Sequence, residues 1–575
     1  MLLKYAPFAV LFFSLLAFSC TSRGVKPAPE AQPLAPDSYH LFLLGTLAEK
    51  DGKWEDALDY YEQALEKDPT SASLQLQISY LLLRTGKVSE ALVRAEQIVA
   101  RSPDNIPALL LIGQLYNSQK KTREAIDVYR RILSLRPDHR EAAIFLSLLY
   151  ASAKEHEQAI RILKELTERD PTNAMAIFYL GTLYLDAGES DLAADCFAKV
   201  TAQKPNFDAA YYNLGLIAET KNQWQEAEEY YQQAVSANPH NLQARERLAQ
   251  IYFKQKETDR AIEQYREISS QLPVNIDAHV NLGLLYLDDK QYDKAIEEFR
   301  IVLEARPQNI GIRYYLAVCL GELDRPEEAI AELKKIIAHD PKNANAFFYL
   351  GLLYSRTKRV DEAIATYQEL LSFERDNPET YLYLSTAYIH KKEYGHAESI
   401  LREAVERFPT NDNLLFNQAV VFEKTGKFDE MVDCLKRVLE MNPEHAEALN
   451  YLGYSYADRG IHLDEALSMI RKALALNPAS GYIMDSLGWV YYKMGRFPEA
   501  LEMLLKAAER VSDDPTILEH IGDVYDAVKD GGRAREYWKR SLMFHEKSED
   551  ADLKNRVLRK IEDAGRRDGV TGVRE

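Results

Sequence analysis

The sequence predicts an all-α fold, a solenoid of about fifteen stacked helix pairs that ends in a capping helix. The first observation is a small residue that recurs every 34 residues from Gly45 to Gly453 and continues, after one extra residue, to Gly522. The second is an alanine twelve places after most of these small residues. The third is a proline that closes most units, as at Pro69 and Pro103. A helix pair explains all three, because only small side chains allow a close helix crossing and proline cannot extend the second helix.

The first 19 residues have the pattern of an export signal. An apolar run from Phe8 to Phe18 is eleven residues long, too short to span a bilayer but suited to a signal peptide. It ends in AFSC at residues 17–20. This segment resembles the signals of bacterial lipoproteins, in which a small-residue box precedes a lipid-bearing cysteine. The resemblance implies cleavage before Cys20 and lipidation of its sulfur. A plain secretory signal cut near Ser19 and a single-pass anchor are the alternatives.

Residues 20–37 follow as a tether between the lipid and the fold. The stretch after Cys20 contains four prolines and almost nothing apolar enough for a core, so we expect a semi-rigid extended segment. In Gram-negative lipoproteins an aspartate after the cysteine favours retention in the inner membrane, and here that residue is Thr21. The resemblance therefore implies an outer-membrane lipoprotein that faces the periplasm and contacts the membrane through its lipid anchor only.

Residues 38–546 carry the repeat itself. Besides the small residue and the alanine, an aromatic residue often stands three places after the small one, as at Tyr116 and Tyr184. The pattern resembles the tetratricopeptide repeat in about fifteen copies. The resemblance implies a right-handed α-solenoid whose concave face, lined by first helices, binds protein partners. No unit buries its apolar face alone, so the core should be the stack of neighbouring pairs.

Residues 547–575 are expected to supply a capping helix and a tail, because the last repeat would otherwise leave an apolar face open. The apolar stripe of this helix is expected to comprise Leu553, Val557, Leu558 and Ile561. Its opposite face, expected to meet water, carries Asp552, Arg556, Arg559 and Asp563. We expect the helix to end near Ala564 and the remaining tail to be disordered.

Composition and missing motifs exclude several classes of function. The chain has 71 basic and 89 acidic side chains, a net charge of −18, which disfavours nucleic acid and anionic membrane surfaces as partners. It has no phosphate-binding loop, no dinucleotide fingerprint, no nucleophile elbow and no HExxH motif. Cys196, Cys319 and Cys434 are too far apart in sequence to suggest a metal site, and each is expected to be a small buried hydrophobe. We therefore expect no enzyme activity, no cofactor and no metal.

The concave face is the expected site of function. Three positions of each first helix, which stand three and two places before the small residue and one place after it, should line that face. The aromatic residues at these positions are Phe145, Phe178, Tyr179, Tyr212, Tyr314, Tyr315, Phe348, Tyr349, Tyr383, Phe416, Tyr451, Tyr454 and Trp489. Aromatic side chains dominate the strong contacts of protein interfaces, so this set predicts a protein-binding groove. The alternative is that many of these rings only pack against adjacent repeats.

The groove differs from the peptide-binding variants of the repeat that hold acidic C-termini. Of the residues that such a carboxylate clamp needs, only Asn213 and Arg247 are in place, and both lysine positions are lost. Residues 449–508 are similar to the C-terminal repeats of proteobacterial tetratricopeptide lipoproteins. At least one of those brings cell-wall hydrolases to a periplasmic carboxyl-terminal processing protease. The resemblance implies a scaffold or adaptor, with such a protease and its clients as partners. The alternative is an assembly or secretion component, such as a pilotin-like or exopolysaccharide-export lipoprotein.

Overall fold

The computed structural model describes residues 36–547 and 552–571. In these ranges the chain forms 31 α-helices and one short 3₁₀ helix, His545–Lys547, and no β-strand. Thirty of the helices form fifteen consecutive antiparallel pairs, and the last helix stands alone at the end. The predicted all-α solenoid of about fifteen helix pairs with a capping helix is confirmed.

The structure divides after Val274 into two compact units, each a stack of helix pairs. The first helices of the first unit are α1 (Pro36–Lys50), α3 (Ala72–Arg84), α5 (Ile106–Ser118), α7 (Arg140–Ser152), α9 (Ala174–Asp186), α11 (Asp208–Thr220) and α13 (Leu242–Lys254). The second helices are α2 (Trp54–Lys67), α4 (Val88–Arg101), α6 (Thr122–Leu135), α8 (His156–Arg169), α10 (Ser190–Gln203), α12 (Trp224–Ala237) and α14 (Thr258–Gln271).

The second unit has eight pairs and the capping helix. Its first helices are α15 (Ile276–Asp288), α17 (Ile310–Glu322), α19 (Ala344–Arg356), α21 (Pro378–His390), α23 (Asp412–Lys424), α25 (Ala446–Arg459), α27 (Gly481–Lys493) and α29 (Pro515–Ala527). Its second helices are α16 (Tyr292–Ala305), α18 (Pro326–His339), α20 (Val360–Phe373), α22 (Tyr394–Arg407), α24 (Phe428–Met441), α26 (Leu463–Leu476), α28 (Phe497–Arg510) and α30 (Gly531–Met543). The capping helix is α31 (Leu553–Thr571).

In seven of the pairs the small residue is a glycine that faces an aromatic ring sixteen places later. A Cβ added to Gly215 would lie 2.5 Å from the ring of Tyr231, and one added to Gly283 would lie 2.4 Å from Phe299. The same close approach joins Gly45 to Tyr61, Gly113 to Tyr129, Gly181 to Phe197, Gly351 to Tyr367, and Gly522 to Trp538. The ring fills the space that a side chain on the first helix would need. Glycine is therefore required at these crossings, and the helices of a pair are held in one fixed arrangement.

Side-chain caps fix where the first helices begin. In α5 the Oδ1 atom of Asn105 accepts a hydrogen bond from the N–H of Ala108 at 3.1 Å. Asparagine caps α9, α13, α15, α17, α19, α21 and α23 in the same way. Such caps satisfy backbone donors that have no partner inside the helix. They set the register in which each first helix presents its groove-lining side chains.

The capping helix packs through most of the apolar stripe predicted for it, and Ile561 is partly buried against the core. Leu553 and Val557 are fully buried and Ala564 is 3% exposed, whereas Leu558 is 40% exposed. Arg556, predicted to face water, is 43% exposed and also donates two hydrogen bonds of 2.7 Å to the carboxylate of Glu519 in α29. The prediction for Leu558 was wrong, and the contact of Arg556 with Glu519 was missed, because the partners of α31 were unknown. The helix also continues to Thr571, beyond the predicted end at residue 564.

Several predictions fall on residues that the structure does not describe. The proposed signal peptide (1–19), Cys20 and the tether up to residue 35 lie outside the described residues, as do the last four residues of the predicted tail. Pro36 and Asp37, expected to end the tether, form the start of α1. Among the described helices, none has the length and apolar character needed to cross a membrane. Lipidation of Cys20 stays a prediction.

Candidate functional site

The thirteen aromatic residues predicted to line the groove divide into two groups by exposure. The first group is buried, at 7–9% exposure, and consists of Phe145, Phe178, Tyr179, Tyr349 and Trp489. The second group is partly or fully exposed and consists of Tyr212, Tyr314, Tyr315, Phe348, Tyr383, Phe416, Tyr451 and Tyr454. Only members of the second group can present ring surface to a partner without a rearrangement. The alternative interpretation, packing against neighbouring repeats, therefore describes the first group.

The predicted groove of the first unit is mostly core. The ring of Phe178 lies 5.5 Å from Phe197 and 4.9 Å from Phe207, measured between ring centroids. Tyr179 is 5.7 Å from Phe178, and burial raises the pKa of its hydroxyl. These rings hold consecutive helices together. Tyr212 is the member of this stretch that keeps part of its ring exposed.

The second unit carries a more accessible set of rings, which we call the aromatic ladder: Tyr314 and Tyr315 on α17, Phe348 on α19, and Tyr383 on α21. Tyr315 is the most exposed of them, at 38%. The ring centroids of Tyr314 and Tyr315 are 6.2 Å apart, and those of Phe348 and Tyr383 are 5.5 Å apart, both in edge-to-face geometry. The ladder therefore runs across three consecutive first helices.

Buried rings support each part of the ladder. Tyr315 stacks on Phe299, which is fully buried, at 6.1 Å. Tyr383 stacks on the fully buried Tyr367 at 6.1 Å, with an angle of 16° between the rings. Phe299 and Tyr367 are also the rings that fill the glycine crossings of their pairs, so the ladder rests on closely packed helix crossings. Its side chains are thus held in place before any partner binds.

Charges of both signs flank the ladder. Burial and the nearby carboxylate of Glu322 raise the pKa of Tyr349 to about 12, and its neutral hydroxyl donates a hydrogen bond to the carbonyl oxygen of Val318 at 3.4 Å. Glu322 forms an ion pair with Arg356 at 3.5 Å, and both side chains are more than 40% exposed. Burial also raises the pKa of Tyr314. An apolar surface bordered by a mixed ion pair suits a protein segment with apolar anchors and polar flanks.

The two residues that match the carboxylate clamp, Asn213 and Arg247, contact other groups of the protein itself. Arg247 lies 3.4 Å from Oε1 of Glu219, whose other oxygen accepts a hydrogen bond from the hydroxyl of Tyr231 at 2.8 Å. The Asn213 side chain donates to the carbonyl oxygen of Ala209 at 2.8 Å. Both candidate clamp residues thus already have partners within the first unit. The geometry agrees with the interpretation from sequence that a carboxylate clamp is not formed.

The sequence analysis missed a network of charged residues, which we call the C-terminal polar cluster. It consists of four buried residues at groove positions and two cations of the capping helix: Asp485, Glu519, His520, Asp523, Arg556 and Lys560. The Nδ1 atom of His520 lies 2.8 Å from Oδ1 of Asp485, and its ring stacks on Trp489 with centroids 4.0 Å apart. Burial opposes a charge on His520, but the carboxylate of Asp485 outweighs burial and raises the pKa of this histidine.

The cluster also attaches the capping helix. Nζ of Lys560 lies 2.6 Å from Oε1 of Glu519 and 2.6 Å from Oδ2 of Asp523. Burial would raise the pKa of Glu519, but Arg556 and Lys560 outweigh burial and lower it. Burial raises the pKa of Asp523, although Lys560 opposes that shift. Four members of the cluster stand at the three first-helix positions that were used above to select aromatic residues: Asp485, Glu519, His520 and Asp523. A search of those positions for charged residues would have found them.

Metal-binding groups or reactive thiols would give the described ranges a chemistry of their own. There, no three His, Cys, Asp or Glu side chains come together in a group that could hold a metal ion. Cys196, Cys319 and Cys434 are buried, as predicted, and carry free thiols. Burial raises the pKa of Cys319 to about 12 and that of Cys434 to about 11. These thiols are therefore protonated at neutral pH and chemically inert.

Known proteins and structures share parts of this architecture. A TPR repeat-containing protein of Pseudomonas aeruginosa is 25% identical over 123 residues, and the match spans 21% of this chain and 21% of that protein. The crystal structure of the APC/C hetero-tetramer Cut9–Hcn1 is 15% identical, covers 79% of this chain and 96% of its own, and has a TM-score of 0.36. YrrB, described as a TPR protein with an unusual peptide-binding site, is 22% identical, covers 32% of this chain and 95% of its own, and has a TM-score of 0.28.

Models of the tetratricopeptide repeat match most of the described helix pairs. One matches residues 48–115, 286–351 and 322–385, a second matches 247–310 and 416–481, and a third matches 481–511. A model of the tetratricopeptide repeat protein 21 C-terminal ARM domain matches residues 109–275. The matched ranges lie within the stack of helix pairs. This chain is a tetratricopeptide repeat protein.

Proposed function

We propose that this protein is a scaffold that binds protein partners through the aromatic ladder of its second unit and has no catalytic role of its own. The observation that carries the proposal is the ladder itself, four partly exposed rings supported from below by fully buried ones. Fixed aromatic side chains offer large contact areas and lose little conformational entropy on binding. The partner expected from this chemistry is a protein segment with apolar anchors.

We further propose that the scaffold is attached to the outer membrane by lipid on Cys20 and acts on envelope proteins in the periplasm. The support for this step comes from the sequence alone: the apolar run at 8–18, the AFSC motif at 17–20 and Thr21 after the cysteine. The similarity of residues 449–508 to tetratricopeptide lipoproteins favours a processing protease and its clients as partners. The alternative is that the partners are proteins of an assembly or secretion system.

Capture of partners by variants tests the proposal. The chain from Thr21 onward, which contains every described residue, is immobilised and exposed to envelope extract, and the retained proteins are identified by mass spectrometry. The ladder variant changes Tyr314, Tyr315, Phe348 and Tyr383 to alanine. Tyr349 is left unchanged because it is 8% exposed and belongs to the core. We expect this variant to lose at least about 90% of partner capture, since several interface anchors are removed together.

A matched control variant changes two exposed aromatic residues outside the ladder, Phe253 and Tyr482, which are 55% and 59% exposed. It should capture partners as the unmodified chain does. Circular dichroism must show unchanged helicity for both variants. Equal capture by the ladder variant and the unmodified chain would contradict the proposed binding site. A retained set of pilus or polysaccharide-export proteins would replace the protease adaptor with the assembly role.

A further inference from the structure

The hydroxyl groups of the aromatic ladder have no partner inside the part of the chain that the structure describes. The hydroxyls of Tyr314, Tyr315 and Tyr383 make no hydrogen bond to any residue there. By contrast, the hydroxyl of the buried Tyr349 donates to the carbonyl oxygen of Val318 at 3.4 Å. A partner that covers the three exposed or half-buried rings must therefore supply hydrogen-bond acceptors, because an unsatisfied buried hydroxyl reduces affinity.

The same surface offers few acceptors to a partner. The groove positions of α17, α19 and α21 that are not aromatic hold Val318, Leu352, Leu382 and Thr386. The Thr386 hydroxyl already donates to the carbonyl oxygen of Leu382 at 2.8 Å. No carboxylate, side-chain amide or cation stands at any groove position of these three helices. The ladder therefore offers hydroxyl donors to a partner but neither a carboxylate nor an amide oxygen as an acceptor.

The backbone conformations that a bound segment can adopt differ in the hydrogen bonds they need. An extended strand of ordinary residues brings one N–H group at each residue, and each needs an acceptor when it is buried. An α-helix satisfies its own N–H groups, but its carbonyl oxygens are engaged as well and leave the tyrosine hydroxyls without acceptors. A proline-rich segment in the polyproline II conformation has free carbonyl oxygens, and proline has no N–H group. Of the three, only this last conformation matches a surface with donors and few acceptors.

We infer that the aromatic ladder binds a proline-rich segment of a partner protein in the polyproline II conformation. The inference rests on the proposed function, because it names the class of partner for the same site. In this complex the proline rings pack on the rings of Phe348 and Tyr383. The carbonyl oxygens of the segment accept hydrogen bonds from the hydroxyls of Tyr314, Tyr315 and Tyr383. Aromatic-lined grooves suit such segments because the extended conformation is already formed before binding.

Decaproline labelled with fluorescein is the probe for this inference. Neighbouring packed helices lie about 8–10 Å apart, so the three first helices of the ladder span about 16–20 Å. A polyproline II segment rises about 3.1 Å per residue, so about six residues cover that distance. Fluorescence anisotropy with the chain from Thr21 onward should show saturable binding with a Kd below about 1 mM. A labelled Gly-Ser decapeptide has the same length but keeps its N–H groups, and it should not bind.

Conservative substitutions separate the hydrogen bonds from the packing of the rings. A double variant with Tyr315→Phe and Tyr383→Phe keeps both rings and removes both donors. It should weaken decaproline binding by at least about fivefold, the loss expected for two neutral hydrogen bonds. Tyr482→Phe makes the same change at a ring that is 59% exposed outside the ladder, and it should leave binding unchanged. Circular dichroism should show the same helicity for all three chains.

An unmodified chain that shows no saturable binding of decaproline would overturn the inference. Equal affinity in the double variant, or equal binding of the Gly-Ser peptide, would overturn it as well. The proposed function is tested separately, because capture of envelope proteins by the ladder does not require proline. If the ladder variant with four alanines loses capture while decaproline does not bind the unmodified chain, the scaffold proposal stands and this inference fails. If that variant captures partners as before, both fail.

Discussion

Replacing Lys560 should loosen the capping helix from the end of the second unit. The ammonium group of Lys560 lies 2.6 Å from Glu519 and 2.6 Å from Asp523. Glu519 is 1% exposed and Asp523 is 8% exposed, so neither carboxylate can turn to water. Lys560→Met keeps the length and most of the apolar stem of the side chain while removing its charge. The variant therefore tests the ion pairs and not the packing.

The size of the effect follows from what remains in place. Arg556 still holds Glu519 through two hydrogen bonds of 2.7 Å, so that carboxylate keeps a cation. Asp523 keeps the hydrogen bond from the neutral N–H of Trp538, at 2.9 Å, and the electrostatic attraction of His520, but it loses its nearest cation. Leaving one buried charge without its ion-pair partner reduces stability by about 3–5 kcal/mol. We expect Lys560→Met to weaken the attachment of α31 by about 3 kcal/mol, the lower end of that range. The raised pKa of Asp523 lets this carboxyl take up a proton, which removes its buried charge.

Hydrogen exchange of the α31 amides measures this loss directly, since the helix can open without the rest of the stack. A cost of about 3 kcal/mol corresponds to exchange about 100-fold faster. Arg559→Met, at an exposed position of the same helix, should change exchange by less than about threefold. Adding Asp523→Asn to Lys560→Met should recover most of the protection. Unchanged exchange in the single variant, or no recovery in the double one, would refute the assignment of the cluster as the attachment of α31.

Two further predictions concern the stack and its pH dependence. Gly215→Leu should lower the free energy of unfolding by about 1–3 kcal/mol in chemical denaturation, because the new side chain would overlap the Tyr231 ring. Gly395→Leu, where no atom lies within 4 Å of an added Cβ, should not lower it. Because the folded pKa of His520 is raised, its stabilisation is complete below about pH 6.5 and is lost as pH rises through the raised value. Asp485→Asn should remove this pH dependence from the unfolding of the second unit.

The stack of helix pairs could be predicted from the sequence because the same pattern recurs in each unit. The spacing of 34 residues placed the small residues correctly, but their partners sixteen places later were missed. The signal was present: Gly113 is followed by Tyr129, whereas Ser147 is followed by Leu163. In most pairs an aromatic ring at this position goes with a glycine, because the ring occupies the volume that a side chain would need, although Tyr265 is paired with Ala249.

The site could be predicted only in part, because exposure depends on neighbouring helices. Tyr315 and Tyr349 occupy equivalent positions, two places before the small residue, yet the first is 38% exposed and the second 8%. The Tyr349 hydroxyl packs over Gly321 of the preceding first helix, which a single-helix pattern does not reveal. The contact of Arg556 with Glu519 was missed for the same reason, because the position of a residue on one helix does not reveal its partner on another.

A photo-cross-linking amino acid in place of Tyr315 tests the central claim most directly. Tyr315 is the most exposed ring of the ladder, so a partner bound there must contact it. Irradiation in envelope extract should join the probe to one or a few discrete proteins, and the same probe at Leu192, on an exposed part of α10, should not. The cross-link should disappear when Tyr314, Phe348 and Tyr383 are also changed to alanine. Cross-links of equal yield at Tyr315 and Leu192, or none at Tyr315 while the protein captures partners, would contradict the ladder as the binding site.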